Sequence, residues 1–251
     1  MCNASDAWVK TFLRVTEVIS ERSHCCSKKV CAIAVKDGRI IGTGINGSIK
    51  GSTNCDDVFK DKDMSKPEVR EEHHKWALDH ELHAEQNLVL DLAKRGVSIK
   101  DAQVFVSLQP CENCARLLAQ TGISDVYWSN IYDKGNLEKT LDYFLAGKIR
   151  THIICKTVED YTSTYLRIAQ YCLDNCYDPF DVIADRGSHY NAFYREQAGT
   201  SAKYALWLKS LNLRDIMVQI SAPDMPEDES IQVIKSTLEK VEELKARLKF
   251  A

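Results

Sequence analysis

Residues 102–130 read AQVFVSLQPCENCARLLAQTGISDVYWSN, and the fold class follows from this one stretch. The apolar run AQVFVSL predicts a buried strand, CENCARLLAQTG a helix stopped by Gly122, and DVYWSN a second strand. Downstream, NLEKTLDYFLAGK predicts a helix ending at Gly147 and RTHIICKTV a last strand, so the pattern repeats. Strands joined through helices are βαβ units, which implies parallel pairs in a sheet covered by helices. Upstream, VCAIAVKDGRIIGTGIN gives two β-rich runs around Asp37-Gly38, a hairpin signal that adds antiparallel strands. The sheet is therefore expected to be mixed.

Outward from there, residues 7–22 repeat Val9, Phe12, Leu13, Val15, Val18 and Ile19 at a helical period. Residues 47–70 are polar and glycine-containing and predict a long loop. Residues from about Glu71 to Arg95 predict one helix stopped at Gly96. The expected order is α-β-β-α-β-α-β-α-β, an α/β domain over residues 1–160. From Tyr161 onward the pattern is helical, and residues 161–251 form a second region, a helical extension. Within it Cys172 and Cys176 stand one helical turn apart with His189 downstream, a pattern read as core. Ile231, Ile234, Leu238, Val241 and Leu248 form an apolar stripe on a predicted last helix.

Composition sets limits. A 44% hydrophobic and 27% charged chain is an ordinary globular one, and a net charge of -3 argues against a protein built to track polynucleotide backbones. No apolar run approaches a bilayer span. MCNASDAWVKTFLRV lacks a cationic start followed by an apolar run, so the expected compartment is the cytosol, that of a host cell if the source is a virus. Ten cysteines in that compartment point to reduced thiols and metal sites instead of disulfides. Gly42, Gly44 and Gly47 match G-x-G-x-x-G, but SIKGSTNCDD follows them and cannot open the helix that a dinucleotide site requires.

The chemistry sits in two stretches, HELHAEQN (80–87) and SLQPCENC (107–114). Cys111 and Cys114, three apart at a helix start, can turn toward one metal, and the helix dipole favours their thiolates. His83 supplies a third ligand from the preceding helix. Three protein ligands leave a fourth position for water, which distinguishes a catalytic Zn²⁺ from a closed structural one. Glu85, two residues past His83, is placed to move protons without being a ligand. H-x-E alone is a weak signal, but H-x-E followed by P-C-x-x-C is the signature of zinc nucleobase deaminases.

On SHCCSKKV, DGRIIGTGINGS, NCDD, HELHAEQN, SLQPCENCA and NIYDK, residues of about 7–157 resemble the cytidine and deoxycytidylate deaminase superfamily, in its bacteriophage-type dCMP branch. The resemblance implies a three-layer α/β/α fold with a five-stranded mixed sheet. It implies hydrolysis of dCMP to dUMP and ammonia, feeding dTMP synthesis, with Zn²⁺ on His83, Cys111 and Cys114 and Glu85 as proton carrier. It places Ala84 and Ser107 at the base edge and Asn46 at the sugar, although Asn46 reads equally well as a turn residue. It places Ser27, Lys29 and Tyr132 at the phosphate. It also implies a second, structural zinc on Cys25, Cys55, His73 and Glu81, with Cys26 and His74 as adjacent alternatives. By the same resemblance the chain is a homo-oligomer, a hexamer in many relatives. dCTP activates it and dTTP inhibits it through the loop NGSIKGSTNCDD, with Mg²⁺ accompanying these effectors. Two positions depart from the family pattern: Cys31 stands where glycine is common and Ile45 where an aromatic is frequent. The nearest rival substrate is dCTP. Deamination within RNA or DNA lacks the basic, aromatic-lined channel it requires. A non-catalytic zinc module would have no use for Glu85.

Overall fold

Consecutive residues of a strand face opposite sides of a sheet, so an unbroken run of buried residues means cover on both sides. Cys31–Lys36 is such a run: every residue from Cys31 to Val35 is buried. It forms β1 of the computed structural model, which describes residues 6–132, 135–154, 164, 167–168, 171–172, 174–175, 177 and 179–183. At Asp37 (φ 51°) and Gly38 (φ 74°) the chain turns left-handed, the conformation a tight two-residue hairpin demands, and returns as β2, Arg39–Ile45. β1 also pairs antiparallel with β5, Gln103–Val106, and β5 pairs parallel with β6, Asp125–Trp128. With β7, Arg150–Ile153, the order is β2-β1-β5-β6-β7, a five-stranded mixed sheet.

Helix α1, Asp6–Ser20, buries Val9, Phe12 and Leu13, and the Phe12 ring packs 5.1 Å from Phe105, which stacks on Tyr127 at 4.4 Å. The chain belongs to the three-layer α/β class expected of it.

The expected single helix over 71–95 is corrected. The chain forms α3, Pro67–His80, then a two-residue strand β4, Glu81–Leu82, then α4, Ala84–Arg95, capped by left-handed Gly96. His83 has ψ 159°, an extended value that no helix interior accepts. β4 pairs with β3, Gly47–Ser48, in a two-stranded sheet of its own. The expected loop over 47–70 is shorter for the same reason: it contains β3, a helical turn α2 at Cys55–Val58 and the start of α3. Between β5 and β6 lies α5, Glu112–Ala119, and α6 spans Leu137–Ala146.

The chain divides into two compact units, Met1–Ile149 and Arg150–Ala251. In the second, Ile168, Tyr171 and Cys172 are buried and a helical turn at Pro179–Val182 packs on β7. The helices expected beyond residue 200, together with Cys176 and His189, lie outside the described residues. Among the described residues no helix is long and apolar enough to cross a membrane.

Candidate active site

Two helix N-termini converge. His83 is the N-cap of α4 (φ -71°, ψ 159°) and Cys111 the N-cap of α5 (φ -72°, ψ 167°). Their nearly identical extended backbones turn both side chains off the helix ends, and Cys114 joins them from the first turn of α5. The sulfurs of Cys111 and Cys114 each lie 3.4 Å from His83 Nδ1. These ligand atoms all fall within 4.8 Å of one another. A tetrahedral zinc with bonds of about 2.0–2.3 Å spaces its nitrogen and sulfur ligands about 3.5 Å apart, so the donor set fits that ion. Hydrogen bonding, first from Cys114 and then from His83, holds the Cys111 thiol down to about 4, so a thiolate stands ready. Its bond to Cys111 in turn pushes His83 up, and Cys114, the donor to Cys111, is also pushed up.

Glu85 is buried under this cluster, 3% exposed, and burial pushes its carboxyl above the ordinary range. Two residues that the sequence reading missed fix its helix. The Gln86 side-chain oxygen accepts from the His83 N–H at 2.8 Å, half of a capping box, and an H-x-x-Q spacing was the available signal. Asn87 Nδ2 donates to Ile45 O at 2.7 Å and ties α4 to the end of β2.

Several of the remaining expected residues have partners of their own. Asn46 is engaged internally: its Oδ1 accepts from Ser23 Oγ and Val30 N–H, and Nδ2 donates to Lys28 O, each at 2.8 Å. It thereby shapes the loop that carries Ser27 and Lys29, both exposed. Lys29 Nζ donates to Glu21 O at 3.3 Å. Ser107 accepts from the Cys31 N–H through Oγ at 3.0 Å, and its carbonyl accepts from Asn130 Nδ2 at 2.6 Å. Ala84 is buried at the head of α4. The Tyr132 hydroxyl is pushed up by burial and by the charge of Cys111. The two departures from the family pattern, Cys31 and Ile45, are direct cross-strand partners.

A second set gathers Cys25, Cys55, His73 and Glu81, with ligand atoms again within 4.8 Å of one another. His73 Nε2 lies 3.1 Å from Cys55 Sγ and 3.6 Å from Cys25 Sγ. Of the adjacent alternatives, Cys26 gives its backbone N–H to Cys55 Sγ at 3.3 Å, and His74 is exposed. Burial pushes both thiols up and His73 down, each toward its neutral form. Glu81 Oε1 is buried with no hydrogen-bond partner among the described residues. A buried carboxylate oxygen without a donor is expensive, and a cation among these four groups would satisfy it.

The sequence pattern described as "Cytidine and deoxycytidylate deaminase zinc-binding region" matches residues 6–130. The deoxycytidylate deaminase of Enterobacteria phage T2 is 35% identical, the alignment taking in 49% of this chain and 80% of that one. The chain belongs to the cytidine and deoxycytidylate deaminase family. Within that family, the deoxycytidylate deaminase of phage T4 is 36% identical and covered over 78% of its length. A solved dCMP deaminase of cyanophage S-TIM5, in complex with dCMP and dUMP, is 27% identical with a TM-score of 0.49. The match covers 61% of this chain and 100% of that one.

Proposed function

We propose that the chain catalyses the hydrolytic deamination of dCMP, water entering at C4 of cytosine and ammonia leaving to give dUMP. The observation that carries the reading is Glu85, a buried carboxyl with a raised pKa two residues past His83 and beneath the His83, Cys111 and Cys114 donor set. The substrate reading is supported by the phage T2 and T4 relatives, both deoxycytidylate deaminases, which are matched over most of their length. His83, Cys111 and Cys114 would hold the catalytic zinc, which supplies a Lewis acid that makes a water molecule nucleophilic near neutral pH. Glu85 takes one proton from the attacking water and delivers it to N3 of the ring, then carries the proton of the new C4 hydroxyl to the amino group as the C4–N bond breaks and ammonia leaves. Its raised pKa brings donation and acceptance closer to balance at neutral pH. Ala84 and Ser107 lie against the base edge, Asn46 organises the sugar side, and Ser27, Lys29 and Tyr132 take the phosphate. Lys29 acts there as a point charge.

Cys25, Cys55, His73 and Glu81 hold a second, structural zinc that closes the 47–66 segment onto α3 and β4. The enzyme is regulated by dCTP and dTTP, with Mg²⁺ accompanying these nucleotides, acts as a homo-oligomer, feeds dTMP synthesis and works in the cytoplasm. Residues 161–251 supply no catalytic group. In the Glu85→Gln variant, turnover of dCMP falls by roughly a hundredfold or more while zinc stays bound. Turnover near that of the parent, with zinc retained, would overturn the mechanism. Parallel rates on dCMP, dCTP and deoxycytidine test the substrate, with dCMP expected to lead.

A further inference from the structure

Gln109 lies two residues before Cys111, belongs to neither ligand set, and is 2% exposed. Its Nε2 is buried with no hydrogen-bond partner among the described residues. An unpaired buried amide donor is costly, so the side chain is held there by its other contacts. All of these lead to one loop. The Gln109 backbone N–H donates to Asn130 O at 2.7 Å, and its Oε1 accepts from the Tyr132 N–H at 3.3 Å. The Gly135 N–H donates to Tyr132 O at 2.8 Å. A Cβ on Gly135 would sit 2.8 Å from Tyr132 Cδ1 and 3.1 Å from Gln109 Nε2. Ring, amide and glycine backbone therefore close on a space too small for a methyl group. The amide and the ring thus flank the same glycine. On its other side the segment is braced, since Thr140 Oγ1 donates to Pro110 O at 3.2 Å. One side chain thus connects the start of the metal-binding helix α5 to the loop that carries Tyr132.

We propose that Gln109 is a positioning residue that sets Tyr132 against the phosphate end of the nucleotide, and so governs substrate affinity without taking part in the proton transfers. This rests on the reading of Tyr132 as a phosphate contact. Oε1 fixes the Tyr132 backbone, the Nε2 side packs against the ring and Gly135, and the position of the phenol follows from the two together. A group acting this way changes how well a phosphorylated substrate is held. A group acting on the chemistry would lower turnover of every substrate alike.

The test uses the full chain loaded with zinc and compares dCMP with deoxycytidine, which lacks the phosphate. In Gln109→Ala, KM for dCMP is expected to rise roughly tenfold while kcat falls by less than about threefold, with kcat/KM for deoxycytidine changed by less than about twofold. Gln109→Glu keeps an acceptor for the Tyr132 N–H and should bring KM for dCMP back to within about threefold of the parent. Gln109→Met keeps the volume without the acceptor and should behave as Gln109→Ala, which also covers failure of the alanine variant to fold. Tyr132→Phe should raise KM for dCMP, and combining it with Gln109→Ala should add less than the two separate effects. A raised KM in Tyr132→Phe beside a parental KM in Gln109→Ala and Gln109→Met sinks the Gln109 proposal alone. So does an equal loss on dCMP and deoxycytidine, which would mark plain packing. A parental KM in Tyr132→Phe sinks the assignment of Tyr132 and the Gln109 proposal with it.

Discussion

A methyl group at position 44 would lie 2.2 Å from the Ala84 carbonyl oxygen and 2.3 Å from the Leu88 nitrogen. Both are backbone atoms of α4 and cannot rotate away, so Gly44→Ala must push the helix off β2. The expected cost is about 2 kcal/mol or more, read as a lowered midpoint of denaturant unfolding. Because His83 and Glu85 head that helix, zinc content and turnover should fall with it; a variant of parental stability would show that α4 yields freely. The same glycine explains why G-x-G-x-x-G appears in a chain that shows no strand-to-helix turn there: it admits a helix, not a pyrophosphate. At this scale the sequence was legible where chemistry dictates residue type. The cluster of His83, Cys111 and Cys114 that the structure gathers was legible because a zinc donor set accepts few residue types. The contacts of Gly44, Asn87 and Gln109 could not be read, because they depend on partners brought near only by the fold.

At the scale of elements, hydrophobic period and stop signals placed the hairpin, α1, α5, β6 and α6 close to where they lie. The failure was local. HKWALDHELHAEQN favours helix throughout by propensity, yet β4 interrupts it because Glu81 and Leu82 pair with Ser48 and Gly47, more than thirty positions earlier. Tertiary pairing overrides propensity over so short a span. The break points Glu81 into the second cluster while His83 enters the first. If the Cys25, Cys55, His73 and Glu81 set holds a metal, Cys55→Ala should lower the zinc content from about two per chain to about one and destabilise the protein by more than about 2 kcal/mol. Metal analysis giving one zinc in the parent would remove the second site.

For the molecule as a whole, a net charge of -3 on 251 residues means that the proposed nucleotide substrate would be attracted by local groups, Lys29 in the proposed reading, and not by a general field. The proposed regulation belongs to this scale, since an effector must bias more than the residues it touches. With dCMP below saturation, dTTP is expected to lower the rate and dCTP to oppose it, with light scattering giving a mass above the 28.5 kDa of one chain. Rates indifferent to both nucleotides, at a single-chain mass, would remove regulation and assembly together. The broad plan of the first unit was legible because each strand of its main sheet is an apolar or β-rich run with a clear stop, which the two-residue strands β3 and β4 are not. The proposed assembly rests on resemblance alone, because an interface is a property of two surfaces and a single chain displays one.

The interior strand β1 has a consequence for how the protein comes to be folded. It is bound on one side by its hairpin partner and on the other by β5, where Cys31 N–H meets Ser107 Oγ across 76 positions of sequence. Between those two residues lie three members of one donor set, Cys55, His73 and Glu81, and the histidine of the other. Closing so long a loop is slow compared with forming a hairpin or a helix. The set of His83, Cys111 and Cys114 draws on residues from both sides of β5 and takes its geometry only with that closure, so a metal there would be captured late. Until then a nascent chain carries reduced, unliganded thiols through the slowest step of its own assembly.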